Sequence, residues 1–367
     1  MIQIPHPSDF LKTEWIDCIR EEATSAEQQG SLTHAQLELI YEQGWLKLFI
    51  PNESAQPGLS LPDALRLEEA LSWADGSLGW TVTLCSGAGW FGGFFNNALA
   101  HEVFRDREVC LGGSGAPTGT ATRVENGYLI NGKWKYATGA DHLTHFTANC
   151  IIKEGDETML NETGEPLITP FVFKKDEVII IKDWNTIGLV ATSSQSFKVN
   201  DLFVSASRSF NLAPESLKIN QPIYNYPFLQ FAEVTLAVNI SGMALHFLDC
   251  CTEKFAKRVE SKSFKDVQKN FLTENLNVAQ NKMARLRTEF YQTVNESWQL
   301  VKKNHSVPEQ FLQKISLTSR NLAAASLEVV DKLYPLCGLL AANPASEINR
   351  VWRDIHTASQ HSLLTLP

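Results

Sequence analysis

Positive charge is in short supply: 32 Lys and Arg stand against 41 Asp and Glu, a formal net charge of -9. A nucleic-acid or anionic-membrane surface needs a basic patch that outweighs such an acidic field, and no stretch supplies one. Cysteine is present without pattern. Cys18, Cys85, Cys110, Cys150, Cys250, Cys251 and Cys337 make no CxxC pair and no His/Cys ligand spacing, so free cytosolic thiols are expected and a metal centre is not. The chain has neither a GxGxxG nor a GxxxxGK[ST] spacing, which removes the Rossmann and P-loop readings. Internal repeats and low-complexity tracts are missing too. The opening MIQIPHPSDFLKTEW has no basic stretch followed by an apolar one, so no signal peptide is read and a cytoplasmic location is expected. Charge is absent altogether from residues 76–100, GSLGWTVTLCSGAGWFGGFFNNALA, a length that can span a bilayer. Its six glycines, with several Thr, Ser and Asn, make it weakly hydrophobic, so a buried helix is expected instead of a membrane span.

What the chain does hold is apolar material: 44% of its 367 residues are hydrophobic, enough for two or three structural units. Residues 8–105 read as helices. Thr33-His34-Ala35-Gln36 has the spacing of a capping box, with Leu37, Ile40, Tyr41 and Leu48 following at near-helical intervals. Gly44 and Pro51 end that segment, a Pro/Gly loop follows, and Ser60-Leu61-Pro62 starts another helix that Asp75-Gly76-Ser77 breaks. Beyond a Pro/Asn-rich linker at 220–226 the period is helical throughout. Phe228, Phe231, Val234, Leu236 and Ile240 open a long apolar helix on which Gly242 and Ala244 permit close helix contact.

Between these helical regions, residues 111–149 read as β-structure built around a small-molecule site. GGSGAPTG spaces small residues so that the backbone can turn and approach a ligand. Asn126-Gly127 and Asn131-Gly132 are hairpin signals and together predict a tight antiparallel meander. Strand alternation puts Trp134, Tyr136 and Thr138 on one face, with Lys133, Lys135 and Ala137 on the other. Residues 184–204 add the hydroxyl cluster Thr192-Ser193-Ser194 before an alternating strand.

These two segments resemble the central β-domain of the acyl-CoA dehydrogenase superfamily. The resemblance implies an α+β multidomain chain: an N-terminal helical domain over 1–106, a central antiparallel β-domain over 107–212 that holds flavin, and a C-terminal helical bundle over 213–367. It implies that Ser114 and Thr120 meet the flavin edge or its phosphate, and that Tyr136 and Thr138 lie against the ring. Trp184, Gly188, Thr192, Ser194 and Val204 fall in matching places in the second segment, and Thr192 and Ser194 are carried over as cofactor-binding residues. Asp75-Gly76-Ser77 and the helix after it also look like the family, whose double Gly is here Pro57-Gly58.

The C-terminal NPASEINRVWRDIHTASQH is similar to the last helix of the two-component, reduced-flavin monooxygenases, among them aromatic hydroxylases and dibenzothiophene monooxygenase. A His matching His361 lies near the reactive flavin carbon in those enzymes, and a His is apt there as hydrogen-bond donor or as proton acceptor from a phenol. Arg353 and Asp354 are expected to anchor a helix that aims His361 into the cavity. One signature of each branch is replaced. Ala345 stands where the dehydrogenases carry a catalytic Glu, with Glu347 two residues away, and Ala88 stands where the monooxygenases carry a further His. The dehydrogenases' RxxFG stretch is absent from 250–271, which implies exchangeable flavin, FAD or FMN, borrowed in reduced form from a separate flavin reductase. The expected function is a reduced-flavin-dependent monooxygenase of a small aromatic or heterocyclic substrate, assembled as a homotetramer, with acyl-CoA dehydrogenation and a catalytically silent binding scaffold as alternatives.

Overall fold

A computed structural model of the chain describes residues 4–50 and 58–365; Pro51 and Pro57 of the expected Pro/Gly loop lie outside them. The N-terminal region is helical: α1 Thr13–Gln29, α2 His34–Gln43, α3 Leu61–Ala74, α4 Gly76–Gly89 and α5 Asn97–Phe104. Local chemistry sets the boundaries. The Thr33 hydroxyl and the Gln36 side chain form the reciprocal capping box of α2, and Gly44 closes that helix in the left-handed region. Ser60 caps α3 through the Asp63 N–H, and Asp75 ends α3 while its carboxylate accepts from the Leu78 N–H at 2.9 Å to start α4. The uncharged stretch is therefore α4, the short turn Trp90–Phe94 and the first turn of α5, with α4 and that turn buried on nearly all sides.

Seven strands follow: β1 Leu111–Val124, β2 Gly127–Ala137, β3 His145–Glu154, β4 Glu157–Thr158, β5 Ile168–Lys174, β6 Ile179–Ile181 and β7 Gln195–Ser205. They form one sheet in the order β4-β3-β1-β2-β7-β6, with β5 also on β3. Two expectations are corrected here. The sheet is mixed, because β1 and β3 run parallel. Of the two Asn-Gly pairs only Asn126-Gly127 makes a turn, between β1 and β2. Asn131-Gly132 sits inside β2 at a register shift, where Asn131 exchanges hydrogen bonds with Asp201 of β7.

The remaining helices are α6 Phe228–Glu260, α7 Asp266–Asn304, α8 Glu309–Leu333, α9 Glu347–Ala358 and the single turn α10 Ser362–Thr365. Length and apolarity alone would let α6 cross a membrane, but 89% of its most apolar window is buried in the fold, which makes it the core helix. Gly242 on α6 faces α3, where a Cβ would come 2.3 Å from the Glu69 carbonyl oxygen. The close helix contact read from Gly242 is thus made within the chain and carries no argument about other copies. Buried charges tie the helices together: Glu69 of α3 takes Arg287 Nη2 at 2.7 Å, the Tyr291 hydroxyl at 2.9 Å and the Ser241 hydroxyl at 2.6 Å. A buried carboxylate left without such partners would cost the fold the full desolvation of its polar atoms.

Candidate functional site

A cavity of about 310 Å³ lies between the sheet and helices α4 and α6. Its two walls differ in chemistry. The sheet side offers backbone and small polar groups: Gly112 to Gly115 of β1, Tyr136, Thr138, Thr147 and Asn149. The helical side is apolar and aromatic, with Leu84, Phe91, Phe228, Phe231 and Leu236 prominent. His361 and Leu363 close it from the chain's last turn.

Of the residues singled out from the sequence, Ser114, Tyr136, Thr138 and His361 meet in this cavity. Thr192 and Ser194 stand behind Thr138. Thr120 pairs with Asn131 farther along β1, outside the lining. The expected common face of Trp134, Tyr136 and Thr138 does not form, because Tyr136 takes φ +65° at a bulge between Trp134 and Ala137. The extra residue breaks the two-residue period, so Trp134 is buried against Phe197 at 5.2 Å while the Tyr136 ring is 68% exposed at the cavity. Tyr136 meets Trp184 edge to face at 6.2 Å.

Thr138 heads a hydroxyl relay. Its Oγ1 lies 3.0 Å from Ser194 Oγ, which lies 2.8 Å from Thr192 Oγ1, and Thr192 donates to the Leu189 carbonyl at 2.8 Å. Each hydroxyl owns one proton. Since the Thr192 proton goes to Leu189, Ser194 must donate to Thr192 and Thr138 to Ser194, which leaves Thr138 with only lone pairs for the cavity.

His361 is mostly buried, 6.1 Å from the Trp80 ring, and burial holds its pKa below the usual 6.5. Its Nδ1 accepts from the Leu363 N–H at 3.4 Å, which fixes the Nε2–H tautomer and makes the ring a neutral donor. The expected single helix carrying Asp354 and His361 ends instead at Ala358, and His361 begins the next turn, donating its N–H to the Ala358 carbonyl at 3.2 Å. The anchoring does involve Arg353 and Asp354. Arg353 Nη1 donates to the Ile187 carbonyl at 2.7 Å, and Asp354 Oδ1 accepts from the Leu189 N–H at 2.6 Å. A Cβ on Gly188 would sit 2.1 Å from the Arg353 carbonyl oxygen, so this contact requires glycine. Burial, reinforced by Asp75, pushes the Asp354 carboxyl up to about 7.

The aromatic helical wall was not singled out as site-shaping in the sequence, although the uncharged run at 76–100 and the apolar stripe of α6 mark two sides of the cavity. Elsewhere, Ala345 is exposed before α9, and Glu347 is paired with His246 at 2.9 Å, which lowers its pKa to about 2; neither lines the cavity. Ala88 does line it.

The lining fits a flavin. Gly115 leaves open space where a side chain would stand, so a flat ring can approach the β1 backbone, and Thr138 supplies a buried acceptor beside it. The C-terminal domain profile of acyl-CoA dehydrogenases matches residues 234–365. The oxygenase subunit HsaA of a flavin-dependent monooxygenase from Rhodococcus jostii is 24% identical, over 94% of this chain and 91% of that protein. Residues 234–365 are thus the part of the chain that matches the acyl-CoA dehydrogenase family. Indole-3-acetate monooxygenase of Pseudomonas putida is 22% identical, covering 95% and 88% of the two chains. XiaF from Streptomyces, solved with FADH2 and glycerol, superposes with a TM-score of 0.83 at 19% identity, over 96% of this chain and 89% of that one. At that identity the XiaF likeness shows a shared fold.

Proposed function

We propose that this chain is the oxygenase component of a two-component monooxygenase that hydroxylates a small aromatic or heterocyclic substrate with reduced flavin, FAD or FMN, delivered by a separate reductase in the cytoplasm. The observation that carries the reading is that the cavity brings His361 together with Thr138 while no carboxylate lines it among the described residues. Removing an α-proton from an acyl thioester requires a base at the ring, and Glu347 is engaged with His246 elsewhere.

When bound, reduced flavin supplies the two electrons that split dioxygen, so that one oxygen atom enters the aromatic C–H bond as hydroxyl and the other leaves as water. The chain's own residues provide the setting. Thr138, whose own proton goes to Ser194, would accept from a ring N–H, a group that reduced flavin has where oxidised flavin has a lone pair, and would so favour the reduced form. Tyr136 and Ser114, which line the same cavity, would border the ring edge. His361, with Nδ1 occupied by the Leu363 N–H, would donate from Nε2 to a guest in the cavity it lines, and the aromatic wall would exclude water from the reacting atoms. We assign the helical, sheet and bundle domains to 1–106, 107–212 and 213–367, and a tetramer as the working assembly.

The test supplies the purified chain with chemically reduced FAD or FMN, a phenol and labelled dioxygen. One labelled oxygen atom in the product supports the reading; anaerobic bleaching of bound FAD by an acyl-CoA, without oxygenation, refutes it.

A further inference from the structure

The helical wall of the cavity carries a second pattern, apart from the flavin side. Among the described residues that line the cavity there is no Lys, Arg, Asp or Glu. His361 is uncharged at neutral pH because burial opposes its protonation. An organic anion entering this space would leave water to face Phe91, Phe228, Phe231 and Leu236 without a counter-ion. Phe91 and Phe228 stand 5.4 Å apart and tilted by 41°, and Phe228 and Phe231 are stacked within 30°, which gives an aromatic side wall to a flat guest.

Two hydroxyls interrupt that wall, and their proton assignments differ. Thr83 Oγ1 of α4 accepts from Asn239 Nδ2 at 2.8 Å, so its own proton remains to be donated. Thr235 Oγ1 of α6 donates to the Ala232 carbonyl at 3.0 Å, so it meets a guest as an acceptor. One side of the wall thus gives a hydrogen bond and the other takes one. A neutral aromatic hydroxyl or ring N–H satisfies such a pair, whereas a carboxylate has only acceptors to offer.

We propose that the cavity selects an uncharged aromatic substrate bearing a hydroxyl or ring N–H, and that Thr83 and Thr235 are the residues that determine this choice. The inference rests on the monooxygenase reading for its chemistry but not for its binding. It separates this chain from a relative named for indole-3-acetate, whose substrate is an anion.

The experiment measures binding of 2-naphthol and 2-naphthoate to the purified chain supplied with FAD, by equilibrium dialysis at neutral pH. Naphthol should bind at least ~30-fold more tightly than naphthoate, the ratio set by burying an unpaired charge. Thr235→Val keeps the volume and removes the acceptor; it should weaken naphthol about fivefold while leaving the FAD titration unchanged. Equal or tighter naphthoate binding, no measurable naphthol binding, or an unaltered Thr235→Val affinity would each overturn the proposal. Oxygenation is scored separately with chemically reduced flavin. Naphthol binding with the expected ratio but without oxygen-dependent product sustains the substrate selection and refutes the monooxygenase reading.

Discussion

At the residue scale, the hydroxyl relay makes a prediction that distinguishes redox states. Thr138→Val preserves volume and removes the lone pairs that Thr138 turns toward the cavity. Reduced flavin should lose on the order of 1 kcal/mol of affinity, about fivefold, and oxidised flavin less; anaerobic and aerobic titrations compare the two, and equal losses would remove the relay from the account. His361→Ala should leave flavin titration near parental and lower coupled product formation by roughly 10²-fold, the usual effect of losing a positioned proton donor. These residues were legible unequally. His361 could be found because Arg353, Asp354 and the flanking apolar residues make its neighbourhood recognisable. Tyr136 was found with the wrong face, since strand period cannot reveal a bulge made by a non-glycine residue at positive φ. Glu69 and Arg287 lie 218 positions apart with no local signal to join them, and only the packing of α3 on α7 makes them a buried pair.

At the element scale, α9 is the clamp between the sheet and the cavity's closing turn. Its apolar spacing was readable, as were the start signals of α2 and α3, because each depends on neighbours within about four residues. The parallel pairing of β1 with β3 was not readable, since it joins strands across β2 and depends on the whole sheet. The clamp has a pH signature. A carboxyl raised in the folded state keeps a proton that the unfolded chain has released, so the stability contributed by Asp354 is full below 3.8 and declines as pH rises through about 7. The Tm should therefore fall between pH 5 and 8, and Asp354→Asn, which retains an acceptor for the Leu189 N–H, should flatten that slope; a variant with the parental slope would contradict it. Glu347 acts in the opposite direction. Its pKa, lowered to about 2 by His246, gives stability that is present above 4.5 and is lost as pH falls toward 2.

At the scale of the whole molecule, apolar surface remains that the single chain does not cover. Val267 and Phe271 on α7 and Leu339 and Leu340 between α8 and α9 are exposed, Leu339 at 89%. Phe271 and Val267 border an open groove floored by Phe264, Leu272 and Leu336. Monomeric proteins seldom leave large side chains clustered in this way, and closed symmetric assembly is the common means of covering them. In the tetramer proposed above, this α7 end would lie against another copy, with an interface on the order of 1,600 Å² or more. Light scattering at micromolar concentration should give an assembly mass, and Phe271→Glu, which sets a charge into that contact, should shift it toward smaller species without altering the thermal unfolding of the subunit's own core. A parental chain that remains monomeric would refute the assembly, and a Phe271→Glu variant of unchanged mass would move the interface to another face. The cavity is formed within one chain, so dissociated subunits should still bind flavin, and loss of flavin titration on dissociation would mean that a neighbouring copy completes the site.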